Sequence, residues 1–394
     1  MNFFKRHFYK RNISFMYKKL MIGVVGMTIL FLIIGLLTTV APAYRLSSEM
    51  ISNWTKDIDS RTFLTLYRAE SKMFSDAFPT ETEMPKLSSA LFGVLTNIKP
   101  DDPKSLLGNE LPGFQSFGSK IIVAGEGTNY ANLSIESSPP LEDVLDDREA
   151  VDDGGKEEND SEKPTKNEPK QTTGKQEPVF IYTTHNRESF LPHLPKSTTP
   201  NEAHHKDVNV TKVGDHFKKG LEKKGIGTKI DKSDIMTLLQ KKNLDYGASY
   251  QVSRDIVKEA ISNHDDIKYI FDIHRDSLPK DKTTKNIKGK DYGKIMFVVG
   301  AEHPNYEKNL KLATDLHYLI EKKHKGLSRG VIEKSGAGTN GVFNQDMSEN
   351  AVLVEIGGYD NHLDEIYRSV DVLTEVFGDY FWDAEKVHYE TDKE

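Results

Sequence analysis

From residue 178 onward the chain alternates short apolar runs with longer stretches of helical spacing. The runs lie at 179–184, 227–230, 268–273, 294–299, 330–333 and 351–354. Short, nearly continuous apolar runs of this kind suit strands buried on both faces. Between them apolar residues recur every three or four positions. Val210, Val213, Phe217 and Leu221 form one stripe within Val208–Lys224, and Tyr246–Ser262, Asn305–Lys323 and Leu363–Phe377 carry similar stripes. Strands alternating with helices predict an α/β fold over residues 178–394, with a mostly parallel central sheet flanked by helices on both faces.

The pattern changes upstream. Met21–Val40 holds twenty residues without a charge, about the length that spans hydrocarbon. Residues 1–20 carry Lys5, Arg6, Lys10, Arg11, Lys18 and Lys19 and no acid. The positive-inside bias then predicts a cytoplasmic basic tail (1–20), a single transmembrane helix (21–43) and everything beyond about 44 outside the membrane. Residues 44–135 are expected to form a partly helical external region, because Ile51, Trp54, Ile58, Phe63, Leu64 and Tyr67 could share one face. Residues 136–177 read as a linker. Leu141–Glu162 carries eleven Asp or Glu, and such a stretch buries too little apolar surface to offset its chain entropy.

Charge and composition narrow the chemistry. A net charge of -7 and the lack of a basic stripe beyond the N-terminus argue against a nucleic-acid partner. The chain has no cysteine, which removes disulfides and thiolate chemistry. A metal would have to sit on imidazoles and carboxylates.

Three of the expected strands end in such groups. VFIYTT runs into His185, KYIFDI into His274, and AVLV into Glu355. In open α/β sheets chemistry collects at the carboxyl ends of strands. Two His and a third ligand are the minimum for a catalytic zinc with an open position, and a nearby Glu is the usual general base. Candidates for the third ligand lie in the loop after His185: Glu188, His193, Glu202, His204 and His205. Asn344, Gln345 and Asp346 precede the Glu355 strand and could line a substrate groove, whereas Tyr250 and Arg254, one helical turn apart, are taken as structural. Gly336–Gly341 spells G-x-G-x-x-G, but the short polar segment before Ala351 is poor material for a dinucleotide-binding helix. The stretch Lys280–Lys294 could touch anionic polymers or be a solvated loop.

The combination of Phe271–Asp276 (FDIHRD), Val352–Gly357 (VLVEIG) and His205–Val208 (HKDV) resembles the zinc-dependent N-acetylmuramoyl-L-alanine amidases. Tyr182–Pro192 is similar to the start of that domain in a sporulation-specific subfamily, which also has an N-terminal anchor, an external helical region and a linker. The resemblance implies an amidase-like fold with Zn2+ held by His185, His205 and His274, and Glu355 as the catalytic carboxylate. His205 stands where the family has a ligand Glu, and the family's D-x-G-H-G opening is absent around His185. Glu188 and His204 therefore remain alternatives. The resemblance also implies cleavage of the muramoyl–L-alanine amide, with DD-endopeptidase cleavage of cross-links as a second activity. The expected setting is septal wall thinning and engulfment, with peptidoglycan as substrate and other sporulation membrane proteins as partners. A non-catalytic peptidoglycan-binding scaffold is the competing reading, and Glu355 is the residue such a scaffold would not need.

Overall fold

The computed structural model describes residues 118–134, 139–151, 169, 171–304, 306–336 and 339–391, together with the isolated Met27. The chain divides into two units, Met1–Pro100 and Asp101–Glu394, and all of these residues except Met27 lie in the second. Among the described residues no helix is long and apolar enough to cross a membrane. The expected span at 21–43 apart from Met27, the helical stripe at 51–67 and half of the linker at 136–177 lie outside the described residues.

All six expected strands form, and a seventh joins them. The strands are β1 (Ser119–Ala124), β2 (Val179–Tyr182), β3 (Thr228–Ile230), β4 (Tyr269–Asp276), β7 (Ile295–Gly300), β8 (Ser328–Lys334) and β9 (Ala351–Gly358), in the order β1-β8-β7-β9-β4-β2-β3. β3, β2, β4 and β9 run parallel, but β7 lies antiparallel to β9 and β1 antiparallel to β8. The sheet is therefore mixed rather than simply parallel. The Lys-rich stretch holds the short α5 (Lys280–Thr283) and a remaining hairpin, β5 (Thr284–Ile287) with β6 (Lys290–Gly293).

Strand alternation gives the sheet two different faces. One carries Ile181, Phe271, Ile273, Phe297, Val352 and Val354 into the main core. Three helices cover it: α2 (Val210–Lys223), α6 (Tyr306–Lys323) and α7 (Leu363–Thr391). α2 starts where Asn209 accepts the Thr211 amide, as an N-cap should. The other face is covered by α4 (Ser249–Asn263), against which α3 (Ile235–Lys242) packs. Asp234 caps α3 at its start, and Asn243 closes it in the left-handed conformation at φ 53°.

The sheet-bearing unit also draws on residues upstream of 178. β1 forms its edge. The short α1 (Leu141–Leu145), inside the expected acidic linker, buries Val144 against α3. These apolar positions are too sparse among the acids to register as an element. The glycine run is followed by a single 3-10 turn at Gln345–Met347 and then β9, with no helix of the dinucleotide-binding kind.

Candidate active site

Asp272, His274 and Asp276 alternate along β4 and so share one face, the side opposite the main core. His274 is paired in register with Glu355 on the neighbouring β9. His185 lies just past the end of β2. Its ring stacks on Tyr246 at 4.7 Å and meets the edges of His274 at 5.2 Å and Tyr250 at 5.5 Å. His274 and Glu355 lie within β4 and β9 rather than at their ends, so the three residues expected at separate strand ends meet on the sheet face, all 5% exposed or less. Tyr250, taken from the sequence as structural, belongs to this cluster.

The loop after His185 folds into a small two-sided clamp. Glu188 and His204 form an antiparallel bridge, flanked by Ser189 N–H to Ala203 O (2.8 Å) and His205 N–H to Arg187 O (2.8 Å). The buried Arg275 guanidinium donates to Ser189 O at 2.9 Å and Ala203 O at 3.1 Å, pinning both sides. Glu188 accepts the Arg275 amide and lies 3.6 Å from His274 Nδ1.

His204 and His205 have opposite roles despite being adjacent. His204 is 1% exposed, and neither ring nitrogen has a hydrogen-bond partner. Burial, reinforced by Arg275 and His185, holds its pKa well below the usual imidazole range, so the ring is neutral and its lone pair available. His205 instead accepts the Asp207 and Val208 amides on Nδ1, at 2.9 and 3.0 Å. Any ring proton of neutral His205 must then sit on Nε2, which leaves no nitrogen free to ligate. This conflicts with the ligand role that the resemblance implies for His205.

His274 stands among carboxylates. Its Nε2 lies 3.0 Å from Asp272 Oδ1, at an angle outside a hydrogen bond. Burial disfavours its charge, but Asp272, Glu188 and Glu355 outweigh this and push its pKa up to about 10. Asp272 is fixed by Thr184, whose N–H and hydroxyl donate at 2.9 and 2.6 Å. Glu355 is 2% exposed. Burial first, then the charge of Asp276, raises its pKa, with His274 opposing. Its Oε1 accepts from Ser134 Oγ at 3.0 Å, while buried Oε2 has no hydrogen-bond partner.

Among the described residues no group of three or more His, Asp or Glu is arranged to hold a metal ion. The chemistry of the donors nevertheless suits zinc. Buried imidazole and carboxylate atoms at His204, His274 and Glu355 lack hydrogen bonds, and buried polar atoms in that state call for a ligand or an ion.

Asn344, Gln345 and Asp346 are committed inward. Asn344, in the left-handed region at φ 56°, donates to Tyr250 O and Ser253 Oγ. Gln345 bridges Val298 O and Gly300 N–H, and Asp346 takes a two-pronged pair from Arg254 at 2.7 and 2.6 Å. They brace their loop rather than present free groups to a groove. His193 accepts the Leu363 amide at the start of α7, and Glu202 caps a surface turn at Thr199.

The clamp has a titratable anchor. Arg187 donates to Asp234 at 2.7 Å and to the α1 carbonyls of Val144 and Leu145 at 3.3 and 3.4 Å. Burial alone would raise the Asp234 pKa, but bonds from Arg187, Thr237 and Asn186 lower it to about 2. A depressed carboxylate stabilises the fold above its unfolded pKa, and that contribution fades as pH falls through the folded value. Acid unfolding followed by circular dichroism should therefore lose this contribution between about pH 4 and 2. Asp234→Asn should shift the transition to higher pH, and an unshifted curve would refute the anchor.

The fold and site define a class: a mixed α/β protein with a buried imidazole and carboxylate cluster on one sheet face. The family model for stage II sporulation protein P matches residues 101–378. A Bacillus subtilis (strain 168) protein described as stage II sporulation protein P is 43% identical over 373 residues, covering 94% of this chain and 93% of its own length. The chain belongs to the stage II sporulation protein P family, and with it to sporulation.

Proposed function

We propose that the protein is a zinc-dependent peptidoglycan hydrolase that cleaves the muramoyl–L-alanine amide, with cross-link cleavage as a second activity. The observation that carries this reading is the buried meeting of His185, Glu188, His204, His274 and Glu355 in one cluster. His185, His274 and Glu188 would hold the zinc, with His204, across from Glu188, as the alternative third ligand. When bound, zinc acts as a Lewis acid on the scissile carbonyl and makes water a stronger acid. Glu355 takes a proton from the attacking water and returns it to the leaving nitrogen. A buried carboxylate of raised pKa is the stronger base for the first transfer, and it holds the proton until the amine departs. Arg275 keeps Glu188 and His204 in place, and the stacked Tyr246 orients His185.

In this reading the span at 21–43 anchors the chain, the sheet-bearing unit works outside the membrane, and the setting is septal wall thinning during engulfment beside other sporulation membrane proteins. The zinc-loaded full chain, incubated with isolated peptidoglycan, should release free stem peptides and bare glycan, identified by mass spectrometry. A chelator should stop the release. Split cross-links would add endopeptidase activity. A folded, zinc-loaded protein that binds peptidoglycan and releases nothing would favour the scaffold reading instead.

A further inference from the structure

Glu355 makes a hydrogen bond that comes from far away in the chain. Ser134, 221 residues upstream, donates its hydroxyl to Oε1 at 3.0 Å in a buried position. The segment carrying it is held on several sides. Asn129 and Asn132 close a tight turn by accepting each other's nearby amides. Arg329, buried on β8, donates at once to Asn132 O and to the Asp276 carboxylate. Leu133 is 2% exposed and packs among Met296, Ile332, Phe343 and Leu353, the apolar part of the Glu355 face. Ser134 is thereby fixed between an apolar plug and an ion pair. Its hydroxyl has one proton to give.

A carboxylate that transfers protons must keep one oxygen available and the other still. Glu355 shows that division: Oε1 is bonded to Ser134, and Oε2 is buried without a hydrogen bond. We propose that Ser134 is a positioning residue for Glu355: it fastens Oε1 and so turns Oε2 toward the reacting atoms. This rests on the reading of Glu355 as the general base. The active site then includes a residue supplied from upstream of the acidic stretch.

The test uses the zinc-loaded full chain on peptide-bearing glycan fragments solubilised from peptidoglycan. Ser134→Ala should lower kcat about 10- to 100-fold and leave KM within about twofold, since Ser134 acts on the base and not on substrate binding. Ser134→Thr, which keeps the hydroxyl, should restore most of kcat. Wild-type kcat in Ser134→Ala, or a raised KM with kcat unchanged, overturns the proposal; so does a Thr variant as slow as Ala. A second readout needs no turnover. The 13C carboxyl resonance of Glu355, assigned by its loss in Glu355→Gln, should move in Ser134→Ala and return in Ser134→Thr. An unmoved resonance sinks the Ser134 contact alone. Full turnover by Glu355→Gln would instead sink the general-base reading beneath it.

Discussion

Glu355→Gln should lose turnover by roughly 10²- to 10⁴-fold, the range that a positioned acid–base group contributes, while the protein keeps its fold and its zinc. Gln has the shape of Glu and can still accept the Ser134 hydroxyl bond through its amide oxygen. It cannot carry a proton. The substitution should also act on stability in the opposite direction. The folded-state pKa of Glu355 lies above its unfolded value because of burial and Asp276. For a carboxyl raised in this way, folding binds a proton, so stability is greatest below the unfolded pKa and falls as pH rises through the folded one. A neutral amide escapes that penalty. The metal-free variant should melt at the same temperature as the wild type or higher at pH 8, with the gap closing toward pH 4. Loss of activity without loss of stability marks a residue retained for chemistry. A variant that both unfolds and fails would make Glu355 structural, and one that turns over normally would remove it from the mechanism.

The parts of this site legible in the sequence were those that depend on strand periodicity. Apolar runs ending in His185, His274 and Glu355 required only that the runs be neighbouring strands, and β2, β4 and β9 are neighbours in that sheet. Asp272 was equally legible, because D-I-H-R-D in a strand puts alternate residues on one side. Its fixing by Thr184, which comes from a different strand end, is what strand alternation does not reveal. β1 and α1 were obscured for another reason. Each is short: α1 sits among acids, and the apolar Ile121–Ala124 of β1 lies in a segment otherwise of external-loop composition. The antiparallel placement of β7 and β1 follows from tertiary packing, and nothing in a six-residue apolar run states its direction. Ser134 belongs to the same class: a serine 221 residues from its partner leaves no local trace.

The third ligand could not be read locally either, because two adjacent histidines differ only in what the folded loop offers them. Their substitutions should separate cleanly. His274→Ala removes a central ligand. With about 10–16 kcal/mol spread over four ligands in a structural zinc site, loss of one should weaken zinc roughly a hundredfold or more. Glu188→Ala should act similarly, because its carboxylate already faces His274 across 3.6 Å. His205→Ala should leave zinc in place. Its ring serves the Asp207 and Val208 amides at the approach to α2, and loss of such a cap costs about 1 kcal/mol of stability. Metal content of the dialysed proteins and competition with a chromogenic chelator would give the order. If His205→Ala lost zinc while Glu188→Ala and His204→Ala both kept it, the ring would have to turn away from the two amides to ligate, and the assignment that the resemblance implies would stand over the one argued from the folded loop. If His204→Ala lost zinc and Glu188→Ala did not, the bridge partner would take the third position, with Glu188 left to orient His274.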